Sequence, residues 1–196
     1  MTKWNHPDLG DFKFDCTGWA KQYDFAAFKP FIYRWHGRNV GCSKIKLEFE
    51  AEDETELPSK QAVTVARRVI KNQETLAKRI AKAVWNDLQG KGEDSGMWWH
   101  GDTNTINEMI DAGFKDRKRK PFDKLDDIYH LIGGASVWIR ESIWLYEKPS
   151  ATITFEAAFD IEHGLGVLTD GSRILGTGYQ TSVTPYFKEQ FHKKSR

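Results

Sequence analysis

The sequence has little cysteine, little proline and almost no net charge, and each shortage removes a class of protein. Two cysteines among 196 residues, Cys16 and Cys42, cannot staple a small secreted scaffold, and their spacing fits no C-x-x-C metal motif. They fall in adjacent strand-like segments, and the expected state is a pair of reduced, half-buried thiols in a cytoplasmic protein. Lys+Arg 29 against Asp+Glu 28 leave a formal charge of +1, so no chain-wide field gathers nucleic acid or acidic substrates. No apolar run approaches the ~18 residues that a membrane span needs. Residues 1–8 lack the apolar stretch and small-residue cleavage site of a secretory leader. Gly-x-Ser-x-Gly is absent, as is the G-x-x-x-x-G-K-[ST] phosphate loop, and Gly164-Leu165-Gly166 lacks the G-x-G-x-x-G spacing. These gaps weigh against serine hydrolases and nucleotide enzymes.

The chain is rich in aromatic residues. Eight Trp and twelve Phe, within 39% hydrophobic residues, supply ample material for one core and exclude disorder throughout. Three strand-like segments come first. Phe12, Phe14 and Cys16 alternate with Lys13 and Asp15, residues 31–35 are β-rich, and Ile45, Leu47 and Phe49 alternate with lysines and glutamates. An acidic loop, residues 50–56, follows. Ala62, Ala66, Val69, Leu76, Ile80, Val84 and Leu88 then form a single helical stripe. An unbroken helix over residues 58–89 would be ~48 Å long, with a break near Asn72 as the variant. Its other face, with Lys60, Arg67, Arg68, Lys71, Lys78, Arg79 and Lys82, reads as a solvated basic surface.

Glycines around residues 90–96 predict a connection, interrupted by Met97-Trp98-Trp99-His100-Gly101. Asp102 or Thr103 then caps a short helix reaching Ala112, with Ile106, Met109 and Ile110 buried. Residues 115–121 form a basic loop containing Arg117, Lys118 and Arg119. Further on, residues 125–131 read as a short helix, 135–141 as a strand continuing as β through 143–146, and 151–159 as another strand. Asp170-Gly171 between two apolar runs is the strongest hairpin signal. The expected fold is α+β: a mostly antiparallel sheet packed against one long amphipathic helix and shorter helices. It forms a single domain over residues 1–196, whose halves are 1–121 and a C-terminal sheet segment 122–178, with a frayed tail at 187–196.

The densest polar constellation is Asp160-Ile161-Glu162-His163-Gly164, directly after a strand. On a straight strand Asp160 and Glu162 share a face and His163 points away, but Gly164 and Gly166 permit a bend that gathers all three. Two carboxylates and an imidazole suit Zn, Mn or Ca to different degrees. No fourth ligand is fixed by spacing, and such a corner equally serves to hold a turn, with the acid orienting the ring. Two further aromatic-His-Gly triplets, at His36 and His100, raise the possibility of added imidazoles. His100 with Asp102 also has the spacing of a base and its orienting acid.

Phe159-Asp160-Ile161-Glu162-His163-Gly164-Leu165-Gly166-Val167, the Asp170-Gly171 turn and Ile174-Leu175-Gly176 resemble a bacterial domain-of-unknown-function family. Its members carry an aromatic-D-x-E-H-G-L-G-V segment that ends a strand. Residues 125–129 leading to 136–139 are similar too, so the likeness covers residues 122–178. Trp is the commoner aromatic before the Asp, and Phe159 departs from that pattern. The resemblance implies immunity or cell-interaction proteins of bacterial toxin systems, with no chemistry to carry over.

The reading favoured by the sequence is therefore a non-enzymatic, immunity-type interaction protein that needs no cofactor. It would bind another protein through Trp98, Trp99, Trp138 and the cations Arg117, Lys118 and Arg119. The second reading is a metal-dependent, hydrolase-like enzyme using Asp160, Glu162 and His163 with His100 or His36 added from a loop. The third is a sugar- or nucleic-acid-binding module built on the loop tryptophans Trp98 and Trp99 and the cations Arg117 to Lys120, nucleic acid being disfavoured by the charge balance.

Overall fold

The computed structural model describes residues 2–35, 38–42, 44–113 and 122–190. Ten strands run in chain order: β1 (Lys3–His6), β2 (Gly10–Phe14), β3 (Gly18–Asp24), β4 (Tyr33–Trp35), β5 (Arg38–Val40), β6 (Lys44–Glu50), β7 (Ile132–Arg140), β8 (Ser150–Ala157), β9 (Asp160–Thr169) and β10 (Ile174–Gly178). Eight of them form one sheet in the order β1-β2-β3-β6-β7-β8-β9-β10, and β4 and β5 form a separate hairpin. Every neighbour in the large sheet is antiparallel except β6 and β7, which run parallel with Lys46 beside Ser136 and Phe49 beside Ile139. The two strand-bearing halves of the sequence thus share one sheet, and the α+β, mostly antiparallel expectation holds.

The long helix is two helices, α1 (Lys60–Lys71) and α2 (Gln73–Leu88). Ser59 is the cap of α1: its hydroxyl accepts the Ala62 N–H at 3.1 Å. Asn72 breaks the run. Its backbone sits at φ −98°, ψ 15°, outside the helical basin, and its side-chain amide donates to the Gly171 carbonyl at 2.9 Å. Ser172 in the same hairpin turn accepts from Arg79. The periodicity is continuous across the break because both helices bury the same stripe: Ala62, Ala66 and Val69, then Leu76, Ile80 and Val84. All seven basic residues of the opposite face are exposed.

The core lies between these helices and one sheet face. Phe12, Trp19, Phe28, Phe31, Phe49 and Phe155 are each buried to within 1% exposure, their rings meeting edge-on or tilted, with Phe28 stacked on Phe155. α3 (Thr103–Gly113) follows the Trp98-Trp99 segment and is capped by Asp102, whose carboxylate accepts the Thr105 N–H at 3.1 Å. A 3-10 turn at Leu125–His130 leads into β7.

Three local expectations change. Cys16 is not in a strand but exposed in a turn at φ 77°, whereas Cys42 is buried with its sulfur accepting the Ala135 N–H; both thiols are free. Residues 143–146 do not prolong a strand: Ile143 and Tyr146 exchange both backbone hydrogen bonds at 3.0 Å and close a tight turn. Leu145 takes φ 65° there, and Trp144 stands at the tip, 75% exposed. Residues 187–190 of the expected tail are described and include a 3-10 turn at Phe187–Glu189. Among the described residues no helix is long and apolar enough to cross a membrane.

Candidate functional site

Two aspartates organise the carboxy-terminal edge of the sheet. Asp87 lies in the last turn of α2, inside the apolar stripe, and is 4% exposed. A buried carboxylate without partners would be costly, and four donors reach this one. Ser95 Oγ and His100 Nδ1 meet Oδ1 at 3.0 and 2.6 Å, while Trp99 Nε1 and Thr177 Oγ1 meet Oδ2 at 3.1 and 2.9 Å. Tyr186 extends the network. With the Thr177 hydrogen committed to Asp87, the Tyr186 hydroxyl 3.2 Å away is the donor of that pair. Burial pushes the Tyr186 phenol above its ordinary value, and the charges of Asp87 and Glu93 push the same way. This hub ties α2, the Trp98-Trp99 segment, β10 and the segment after it into one unit.

Asp160, at the start of β9, is the second centre and is 3% exposed. Its Oδ1 accepts the backbone N–H of His163 at 3.0 Å and lies 3.0 Å from that residue's Nδ1. Oδ2 accepts Trp98 Nε1 at 2.9 Å. An ionised carboxylate makes Nδ1 the protonated nitrogen, leaving Nε2 as the outward end of the ring. The other ring face is covered by Tyr179, stacked at 4.5 Å between centroids.

The glycines of the E-H-G-L-G run explain how the corner forms. Gly164 has φ 61°, and a Cβ there would come within 2.7 Å of the Phe155 carbonyl oxygen. A Cβ on Gly166 would come equally close to the Tyr179 carbonyl oxygen. Gly164 turns the chain directly after His163, and the open flank of Gly166 lets residues 179–180 lie against β9, where Gln180 N–H donates to the His163 carbonyl. A register shift in the β8–β9 ladder between Phe155 and Ala157 accompanies the turn.

The two centres touch. Trp99 meets Phe159 and Tyr179 edge-on at 5.3 and 5.2 Å, and Trp98 meets Trp99 at 6.1 Å. Outside the pair lies a cleft of about 500 Å³ lined by Trp98, Thr105, Met109, Asp160, Ile161, Glu162 and His163.

The sequence candidates therefore separate. Asp160, Glu162 and His163 do line one cleft with Trp98. Asp160 is already engaged on both oxygens, Glu162 is exposed, and His163 is half exposed, at 49% of its side chain. His100 belongs to Asp87 rather than to this corner, and Asp102 serves α3 rather than His100. Trp99 is fully buried with its N–H consumed by Asp87, so it acts in packing; Trp98 alone of the pair reaches the cleft. Trp138 is half-buried on the outer sheet face, where Lys46 Nζ and Arg140 Cζ lie 5.7 and 5.8 Å from its ring. His36, Arg117, Lys118 and Arg119 lie outside the described residues. Among the described residues no three His, Cys, Asp or Glu side chains are grouped as metal ligands. Asp87 and Thr177 escaped the sequence reading. The visible signal for Asp87 was an acid one position before Leu88, inside an otherwise apolar stripe.

The geometry defines an α+β protein whose sheet edge is fastened by two hydrogen-bonded Asp–His pairs beside an open cleft. The family model for Domain of unknown function (DUF6985) matches residues 8–184, and the chain belongs to that family. The match takes in β2 to β6 and both α1 and α2, well beyond residues 122–178, where the sequence likeness rests. No curated protein and no solved structure matches the chain.

Proposed function

We propose that this protein is a non-enzymatic interaction module of the bacterial immunity type, acting in the cytoplasm, and that it docks a partner protein at the cleft between α3 and the start of β9. The observation that carries this reading is the division of labour at that cleft. The group best suited to chemistry, Asp160, spends both oxygens on holding Trp98 and His163 in place. What it leaves facing solvent is a contact surface: Trp98, Met109 and Ile161, the last 52% exposed, beside the edge of the His163 ring. An apolar floor with an indole and a few oriented polar groups is the composition of a protein-binding pocket. The immunity assignment rests on the D-x-E-H-G-L-G-V resemblance.

Binding to the products of neighbouring genes tests it. Ile161→Ser changes an exposed side chain and should leave the fold intact while abolishing or strongly weakening capture of the partner. Capture that is indifferent to Ile161→Ser and to Trp98→Phe overturns the cleft as the docking site.

A further inference from the structure

We propose that the cleft beside Asp160 receives a basic, amphipathic segment of the partner, with a lysine or arginine side chain laid along Trp98, Met109 and Ile161 and its charged head at Glu162. This deepens the proposed function and rests on that reading. Charge complementarity selects the occupant. The chain as a whole is balanced, at +1, yet the two segments that build the cleft are not. Residues 92–113 and 149–172 contain carboxylates but no lysine or arginine, and of these acids Asp160 and Glu162 line the cleft. Seven basic residues of the fold are displayed away from it, along the exposed faces of α1 and α2.

The shape of the cleft fits the same occupant. A volume of about 500 Å³ exceeds one aliphatic side chain and suits a long stem with its neighbours. Long cationic side chains bury methylenes on apolar surface while their heads stay at the rim, and an indole face adds attraction for the cation. Glu162 lies at that rim, exposed and without a hydrogen-bond partner among the described residues, so it can meet an incoming cation without breaking a scaffold contact. His163 is pinned through Nδ1 by Asp160, and its ring lines the same space.

The test uses the full chain and two synthetic peptides, one alternating leucine with lysine and one alternating leucine with glutamate, observed by NMR. The Leu-Lys peptide should shift the Trp98 indole and His163 ring resonances, and the Leu-Glu peptide should leave them in place. Binding of the basic peptide should weaken about fivefold in Glu162→Gln and should fall as salt is raised from 0.05 to about 0.5 M. Equal, salt-independent shifts with both peptides overturn the charge selection while leaving a docking cleft. No shift at Trp98 or His163 with either peptide overturns the selection and the cleft together.

Discussion

The two Asp–His pairs use the same contact, an aspartate oxygen on Nδ1, in opposite settings. Asp87 and His100 are enclosed, with side chains 4% and 17% exposed, and the acid also holds a serine, a threonine and an indole. Asp160 is just as buried, but His163 is half exposed and forms the wall of a cleft. A buried acid binds elements together in proportion to the donors it collects and the distance in sequence they come from. Asp87 draws on Ser95, Trp99, His100 and Thr177, whereas Asp160 draws on His163, three residues away, and Trp98. The first pair is a keystone; the second positions a surface.

That contrast can be broken experimentally. The largest effect should come from Asp87→Ala, which strands buried donors from several elements and should cost about 3 kcal/mol or more in chemical denaturation. Asp160→Ala should cost less, about 2 kcal/mol, because its ring partner can turn to water; losses of equal size would erase the distinction. His100→Ala should lower stability by about 1–2 kcal/mol, while His163→Ala should change it by less than about 1 kcal/mol, its cost instead appearing as loss of partner binding. Urea melts of the two variants side by side decide this.

The smallest effect is a pH dependence. Tyr186 has its phenol raised by burial, so the hub stabilises the protonated form. That contribution is complete below the unfolded value near 10 and is lost as pH rises above it. Tyr186→Phe should reduce the alkaline loss of stability, and an unchanged profile above pH 10 would remove Tyr186 from the hub's energetics.

How far the sequence anticipates this arrangement depends on the range of the interaction. β6 is read correctly from strict alternation of Ile45, Leu47 and Phe49, and the β9–β10 hairpin from Asp170-Gly171, because both signals are local. The corner at Asp160 is local too: the N–H and ring of His163 both return to an acid three positions earlier. The break at Asn72 depends on a bond to Gly171, 99 positions away, and periodicity alone shows only that a break there is tolerable. The Asp87 hub depends on Thr177, 90 positions away, which no spacing rule reaches. Trp99 illustrates the same limit. Two adjacent tryptophans beside glycine look like a surface patch until a buried carboxylate is found to claim one N–H.

The parallel pairing of β6 with β7 has a consequence for how the chain reaches its native state. It is the one ladder joining an amino-terminal meander to a carboxy-terminal one, and its partners, such as Lys46 and Ser136, lie about 90 residues apart. The ladders on each side close over shorter stretches of chain, the longest being the β3–β6 connection that carries β4 and β5, but this seam must wait for α1, α2 and α3 to be gathered between its strands. Assembly should therefore proceed in two stages, with late docking of preformed halves as the slow step, and variants that weaken the seam should retard refolding more than those within either meander.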